Sequence, residues 1–187
     1  MIHVVIALIL NNDQVCVGKR QTEPFKGYVE CPGGKVEGQE SLMDALRREL
    51  LEEGDATLKH ASYMTHYDVS NKHGDYRLHW FKVSISSEFK PIIYTSIEWV
   101  RLNDLTSLDW IPHNRPYLPM IQAIHDYQTE HVLVLNPLDS DEKNIQSLDA
   151  YFKKEFVLKD AVLREELANF SPQLQTLIRF YPIQLEP

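Results

Sequence analysis

The segment CPGGKVEGQESLMDALRRELLEEGDA, which starts at Cys31, constrains the fold of this chain more than any other. Ser41 is a favourable N-cap residue, and the stretch after it contains strong helix formers without Gly or Pro. The pattern predicts a helix over about 42–53. Apolar residues between Leu42 and Leu46 recur at helical spacing, so one face of this helix should be buried.

The same face carries acids at its far end. At roughly 100° per residue, Glu49 and Glu53 fall within about 20° of the apolar stripe, with Glu52 beside them. These carboxylates are predicted to point toward the protein body, at the helix end where the dipole disfavours negative charge. Arg48 can pair with Glu52, but one guanidinium cannot neutralise three converging acids. A hard divalent cation can, which predicts a Mg²⁺ site with Mn²⁺ as second candidate. The alternative is a solvated acidic face.

The loop before the helix contains Pro32, Gly33, Gly34 and Lys35. Two adjacent glycines allow unusual dihedral angles and a close approach of the backbone to a ligand. The spacing of a Walker loop is absent, because no Ser or Thr follows the lysine. A glycine turn, a lysine and a three-glutamate helix face in one segment indicate one site.

The segment resembles the Nudix box, G-x5-E-x7-R-E-U-x-E-E-x-G-U with U apolar. Seven residues stand at its fixed positions: Gly34, Glu40, Arg48, Glu49, Leu50, Glu52 and Glu53. The last glycine of the box is replaced by Asp55, and Gly54 stands one position earlier. Either an Asp in left-handed geometry or a helix that ends at Gly54 would serve as the helix terminus.

Within that family, the region from Val4 to Tyr127 is similar to MutT-like enzymes, on the stretches VGKR, VECPGGKVE, EWVRLNDL and IPHNRP. The resemblance implies an α/β/α sandwich around a mixed β-sheet. It also implies metal-dependent hydrolysis of a nucleoside triphosphate to a monophosphate and pyrophosphate. The favoured substrate is 8-oxo-dGTP, as in sanitation of the nucleotide pool. The alternatives are dCTP, a dinucleoside polyphosphate, a nucleotide sugar, or a nucleotide sensor without turnover.

The resemblance also implies roles for individual residues. The catalytic residues would be Glu49, Glu53 and Arg48, with Glu49 or Glu53 as the proton acceptor. The metal ligands would be the Gly33 carbonyl and the carboxylates of Glu49, Glu52 and Glu53. The substrate would contact Arg20, Lys35 and Asn114. Many members carry a further metal-binding glutamate where this chain has Ile93, so a fourth side-chain ligand stays open.

Asn114 has a second interpretation. Because Arg115-Pro116 follows it, the residue is also a candidate N-cap of the next helix. Glu98 precedes the Trp-Val pair of a predicted strand and is expected to face solvent. The histidines show no metal-ligand spacing and are expected to be structural or solvated.

Composition limits the other classes of function. The 187-residue chain has a formal net charge of −8, which argues against a broad basic surface for polymeric nucleic acid but allows a small nucleotide. Two cysteines are too few for a disulfide framework. The apolar run VVIALIL is too short to span a bilayer. A cytoplasmic enzyme without membrane contacts is therefore expected.

Alternating strand and helix patterns predict an α/β domain over residues 1–128, with a helix that starts near HNRP. Residues 129–187 are predicted to form a mainly helical extension, with Ile145, Leu148, Phe152 and Phe156 on one face and a short strand at HVLVL. The extension either covers the catalytic domain, forms a homodimer contact, or binds a ligand of its own.

Overall fold

The computed structural model describes most of the chain, with short gaps in its last third. The described residues are 1–126, 128–130, 135–152, 157–159, 161–163, 167–178 and 181–185. Phe156 and nearly all of the predicted HVLVL strand lie outside them.

The first two thirds of the chain alternate strands and helices as predicted. The strands are β1 (Ile2–Asn11), β2 (Gln14–Arg20), β3 (Val29–Glu30), β4 (Gly33–Lys35), β5 (Leu58–Asn71), β6 (Gly74–Ile85) and β7 (Tyr94–Arg101). The helices are α1 (Leu42–Gly54), α2 (Leu118–Gln122) and the 3₁₀ segments Leu102–Ser107, Pro112–Tyr117 and Ile124–Asp126.

The later elements are shorter. They are β8 (Gln128–Glu130), α3 (Asp141–Phe152), β9 (Val157–Lys159), β10 (Ala161–Leu163), a 3₁₀ turn at Leu167–Asn169, α4 (Pro172–Ile178) and β11 (Ile183–Leu185). The extension therefore contains short strands as well as the helices α3 and α4, so it is less helical than predicted. In the described part of the chain, no helix is long and apolar enough to cross a membrane.

The main sheet is mixed and has helices on both faces. Its strand order is β3-β2-β1-β6-β5-β9-β8, with β4 added to β1 and β7 added to β2. The β1 and β6 strands run parallel, whereas β1 is antiparallel to β2 and β4, and β5 is antiparallel to β6. This architecture confirms the predicted α/β sandwich.

Alternation along β1 separates the two cores. Val5 and Ala7 face the first core, which contains the apolar side of α1. Ile6 and Leu8 face the second core, which contains residues of α2. The sheet therefore lies between α1 and α2.

The α1 helix begins and ends as its sequence suggests. The Ser41 hydroxyl accepts a hydrogen bond from the Asp44 amide at 3.1 Å, which confirms the N-cap. Asp55 ends the helix in the left-handed region, with φ 50° and ψ 35°. The Asp55 amide donates to the Leu51 carbonyl at 2.9 Å. The replacement of the last box glycine by Asp55 therefore preserves the turn.

The extension packs on the sheet face that carries α1. Leu148, Phe152 and Leu174 belong to the same buried cluster as Val5 and Leu46. In addition, β9 pairs with β5 at the edge of the sheet. The extension and the α/β region thus share one hydrophobic core.

Candidate active site

Glu53 is the most buried acid of α1, with a relative exposure of 6%. Its Oε2 accepts hydrogen bonds from the Gly33 amide at 2.7 Å and from the Tyr94 hydroxyl at 2.9 Å. Burial raises the pKa of Glu53 to about 8, although both hydrogen bonds lower it and nearby Glu49 and Glu30 raise it further. A negative charge here is costly without a cation.

Glu49 lies one helical turn earlier and contacts the glycine loop. A Cβ at Gly34 would stand 2.2 Å from Glu49 Oε1, so a side chain at this position would displace the carboxylate. Arg48 donates to the same oxygen at 2.9 Å. Burial raises the pKa of Glu49, and Arg48 opposes that shift. The prediction that Glu49 and Glu53 point toward the protein body is confirmed.

Glu52 differs from the two other acids. Its side chain is 58% exposed, against 12% for Glu49. The expectation that all three carboxylates point inward is therefore wrong for Glu52, because its position on the helix lies outside the buried stripe. Among the described residues, no group of three or more acids, histidines or cysteines stands close enough to hold a metal ion. Glu52 would have to turn toward the other acids to share a cation with them.

Arg48 connects the parts of this site. Its guanidinium donates to Glu40 through Nε at 3.1 Å and Nη2 at 2.7 Å, and to Glu52 at 3.1 Å. It also donates to the Lys35 carbonyl at 2.8 Å. These bonds raise the pKa of Arg48 above its ordinary value and lower that of Glu40. Arg48 thereby fixes the loop to the helix and offsets part of the negative charge.

The donor groups suit a hard divalent cation. Both hydrogen bonds to Glu53 reach Oε2, and Oε1 accepts none from the described part of the chain. Glu49 stands one turn away, and Gly33, at φ 144°, brings the loop backbone against Glu53. Carboxylate and carbonyl oxygens are the ligands that Mg²⁺ and Mn²⁺ prefer.

Arg20 lies at the end of β2 and is not free. Its Nη1 donates to both carboxylate oxygens of Glu30 at 2.8 Å, and its buried Nε has no hydrogen-bond partner among the described residues. Burial raises the pKa of Glu30 despite this ion pair. Lys35 is exposed, with its side chain on the strand next to β1.

Asn114 lies inside the 3₁₀ segment Pro112–Tyr117 and caps no helix. Neither that segment nor α2 has a side-chain cap, and their N-cap residues are Ile111 and Tyr117. The cap interpretation of Asn114 is therefore wrong. The predicted continuous helix from HNRP onward is also interrupted, because Pro116 and Pro119 remove amide donors and leave short 3₁₀ and α segments.

The Asn114 segment lies beside β3 and near Arg20. Ile111 donates to the Val29 carbonyl at 3.1 Å, and Val29 donates to the Asp109 carbonyl at 2.8 Å. The adjacent His113 feels the charge of Arg20, and burial lowers the pKa of this imidazole. Asn114 as a residue is only 6% exposed. Its side-chain amide is not among the fully buried polar atoms that lack a hydrogen-bond partner in the described part of the chain.

Tyr94 is the site residue that the sequence pattern did not single out. It follows Ile93, the position at which other members carry a glutamate, and Ile93 itself is exposed. Gly18 makes room for the Tyr94 ring, since a Cβ there would lie 2.4 Å from Cδ1 of the ring. The available signal was a glycine in β2, the strand that pairs with β7, and its interpretation requires the strand register.

Comparisons with known proteins identify the family. Residues 1–121 match the model of the NUDIX domain family. No curated protein matches the chain. A solved chain from a study of MutT from Aliivibrio salmonicida and Vibrio cholerae is 27% identical, with a TM-score of 0.58, over 65% of this chain and 97% of that one.

Two further structures show the same fold. The E. coli ORF135 protein is 26% identical with a TM-score of 0.59, over 67% of this chain and 91% of that one. The NUDIX domain of Shewanella oneidensis NrtR, solved with ADP ribose, is 17% identical with a TM-score of 0.55, over 67% of this chain and 88% of that one. The chain belongs to the Nudix family and is a MutT-like Nudix hydrolase, an enzyme that hydrolyses a nucleotide derivative.

Proposed function

We propose that this enzyme hydrolyses 8-oxo-dGTP to 8-oxo-dGMP and pyrophosphate, with Mg²⁺ or Mn²⁺ as cofactor. The observation that carries the choice of base is the position of Asn114, a residue that is 6% exposed and whose segment is hydrogen-bonded to Val29, next to the strand end that holds Arg20.

The base argument follows from hydrogen-bond chemistry. In 8-oxoguanine, N7 carries a proton and becomes a donor beside the O6 acceptor, whereas guanine presents two acceptors. One asparagine side chain offers both a donor and an acceptor, so it complements the oxidised base. A mismatched buried pair costs about 1–3 kcal/mol, which allows roughly tenfold to hundredfold discrimination from this contact.

The acids of α1 would hold the metal. The proposed ligand set consists of the second oxygen of Glu53, the carboxylates of Glu49 and Glu52, and the Gly33 carbonyl. A cation bound there would neutralise the phosphate chain and lower the pKa of the attacking water. Arg48 donates to both Glu49 and Glu52, so one guanidinium holds the two carboxylates.

Glu49 is the proposed proton acceptor. Glu53 is held by two hydrogen bonds at Oε2, which suits a fixed ligand. Glu49 has a raised pKa and lies against the glycine loop, where the phosphate chain would pass. Lys35 would bind phosphate oxygens from the loop. Arg20 would do the same once its pairing with Glu30 is shared with the substrate.

A nucleotide panel with Mg²⁺ tests the substrate. The panel contains 8-oxo-dGTP, dGTP, dCTP, ADP-ribose and a dinucleoside polyphosphate. For each compound, the release of pyrophosphate and of orthophosphate is measured. The proposal predicts the highest kcat/KM for 8-oxo-dGTP, with pyrophosphate as the product. A higher kcat/KM for dCTP or for ADP-ribose would contradict the assignment of 8-oxo-dGTP as substrate. Saturable binding without turnover would indicate a nucleotide sensor.

We propose in addition that residues 1–128 form the catalytic domain and that the enzyme acts in the cytoplasm. In this proposal, residues 129–187 form an extension that covers one face of the sheet of that domain. The shared core of α1, α3 and α4 supports this arrangement. A homodimer through the extension remains the competing role, and the mass of the full-length enzyme in solution distinguishes the two.

A further inference from the structure

Three aromatic rings lie together on the loop between β2 and β3 and on the segment that carries Asn114. The Phe25 ring stands 5.9 Å from the Tyr28 ring and 5.8 Å from the His113 ring, with interplanar angles of 76° and 73°. Tyr28 is 36% exposed, and Phe25 and His113 are partly buried. This aromatic cluster therefore presents ring surface to solvent.

The loop holds Phe25 in a conformation that is unfavourable for its residue type. Phe25 has φ 70°, in the left-handed region that bulky side chains rarely adopt. Such a conformation persists only where the surrounding structure enforces it, and it is frequent at ligand-binding sites. The Tyr28 amide donates to the Phe25 carbonyl at 3.0 Å and fixes the turn. The fold therefore imposes the position of this ring.

The same loop closes on Arg20. The Arg20 amide donates to the Tyr28 carbonyl, and the Gly27 amide donates to the Arg20 carbonyl, both at 2.9 Å. Glu30 fixes the Arg20 guanidinium through the ion pair at 2.8 Å. One short turn thus holds the Phe25 ring and the cation proposed above for phosphate in a fixed relation.

His113 joins the aromatic cluster from the other side. It directly precedes Asn114 in the 3₁₀ segment Pro112–Tyr117. Burial, and then the charge of Arg20, lowers the pKa of His113, so its imidazole is neutral at pH 7 and adds ring surface without a second cation. The aromatic cluster therefore links the residue proposed for phosphate with the residue proposed for the edge of the base.

We infer that Phe25 and His113 form a stacking wall for the face of the purine base of the substrate. This inference rests on the proposed function, because it names further residues of the same nucleotide site. Aromatic side chains bind the faces of bases with little dependence on base identity, and a purine offers a larger face than a pyrimidine. Asn114 reads the edge that distinguishes 8-oxoguanine, whereas the stacking wall supplies affinity for any purine.

Proton NMR of the full-length protein detects stacking directly, because the ring current of a bound purine shifts the signals of the rings that it covers. The probes are 8-oxo-dGMP, dGMP, dCMP and inorganic pyrophosphate, which test base and phosphate separately. We expect saturable upfield shifts of the Phe25 and His113 ring signals with both purines, smaller shifts with dCMP and none with pyrophosphate. No saturable upfield shift with either purine, or an equal response to pyrophosphate, would overturn the inference.

Two substitutions of Phe25 separate the ring from the backbone. Phe25→Leu keeps an apolar side chain, and Phe25→Gly also relieves the left-handed conformation. Both should weaken binding of dGMP and 8-oxo-dGMP about tenfold and leave pyrophosphate binding unchanged. Trp99→Leu is the control and should change neither, since Trp99 is 39% exposed on β7, which pairs with β2 on the side opposite β3.

The outcomes separate the stacking wall from the proposed reaction. Hydrolysis of 8-oxo-dGTP together with normal purine binding by Phe25→Leu would overturn the wall and leave the reaction in place. Preference for another purine nucleotide, with purine affinity lost in both Phe25 variants, would support the wall and contradict the choice of 8-oxo-dGTP. Loss of pyrophosphate binding to the same extent would assign Phe25 to the structure of the Arg20 loop and overturn the inference.

Discussion

The hydroxyl of Tyr94 donates a hydrogen bond to the buried carboxylate of Glu53 at 2.9 Å. The Gly33 amide donates to the same oxygen at 2.7 Å, so two fixed donors set the orientation of this acid. The other oxygen accepts no hydrogen bond from the described part of the chain and is available to a cation. A donor that orients a metal ligand typically changes metal affinity by a factor of ten to a hundred.

We therefore expect Tyr94→Phe to weaken Mn²⁺ binding by about tenfold or more, because the Glu53 carboxylate loses one of its two fixed donors. Free Mn²⁺ measured by electron paramagnetic resonance in a titration of the protein gives the affinity without turnover. Tyr76→Phe is the matched control, since the Tyr76 hydroxyl donates to the His73 carbonyl at 3.5 Å and Tyr76 packs against the second core, on the sheet face opposite α1. Equal Mn²⁺ affinity in the Tyr94 variant and the wild type would show that this hydrogen bond does not support the metal site.

Glu53→Gln is expected to abolish most hydrolysis and to change the pH dependence of stability. Burial raises the pKa of Glu53 from 4.5 to about 8, so in the metal-free enzyme the folded state holds a proton that the unfolded chain has released. The free energy of unfolding should therefore be highest at low pH and fall between about pH 4.5 and 8, by at most roughly 5 kcal/mol from this group.

Urea unfolding of the metal-free proteins at several pH values measures this effect. The Glu53→Gln variant should lack the decrease and be more stable than the wild type at pH 9. Glu98→Gln provides the control, because Glu98 is exposed on β7. A Glu53 variant that keeps near-normal turnover at saturating Mg²⁺ would contradict the role of this acid.

Arg48→Lys should lower both thermal stability and kcat. The guanidinium makes bonds to Glu40, Glu49, Glu52 and the Lys35 carbonyl, and an ammonium group cannot reproduce that planar geometry. We expect a loss of about 1–3 kcal/mol in the free energy of unfolding. Arg47→Lys, at an exposed position that pairs with Asp44, should change neither quantity. Equal unfolding midpoints for the two variants would argue against a connecting role for Arg48.

Asn114→Ala should change substrate preference and leave stability nearly unchanged, because the residue caps no helix. The ratio of kcat/KM for 8-oxo-dGTP to that for dGTP is expected to fall about tenfold to a hundredfold. Asn103→Ala, in an exposed position of the preceding 3₁₀ segment, controls for general effects. An unchanged ratio with a lowered Tm would indicate a structural residue instead.

Local sequence rules predicted the parts of the site that depend on neighbours along the chain. The N-cap at Ser41 and the helix from Leu42 follow from residue preferences at helix ends. The inward direction of Glu49 and Glu53 follows from helical periodicity. Glu52 was misplaced because the rotation argument assigned its direction from the neighbouring acids, and it lies outside the buried stripe. The sequence left two roles for Asn114, base recognition and helix N-cap, because an N-cap depends on backbone angles that a sequence does not show.

The features that were missed depend on contacts between distant segments. Tyr94 reaches Glu53 only because β7 pairs with β2 and Gly18 leaves space for the ring. Likewise, the pairing of Arg20 with Glu30 requires the register of β2 and β3. The extension shows the same limit, since its helical character was predicted but the sheet face on which it packs depends on tertiary contacts.

The most direct measurement is hydrolysis of 8-oxo-dGTP with Mg²⁺ in ¹⁸O-labelled water, with mass spectrometry of both products. Resemblance to MutT-like enzymes implies attack of water at the β-phosphorus, with 8-oxo-dGMP as leaving group. The expected result is pyrophosphate that carries the label and 8-oxo-dGMP that carries none. Label in the nucleotide product, release of orthophosphate, or no turnover of 8-oxo-dGTP would contradict the proposed reaction.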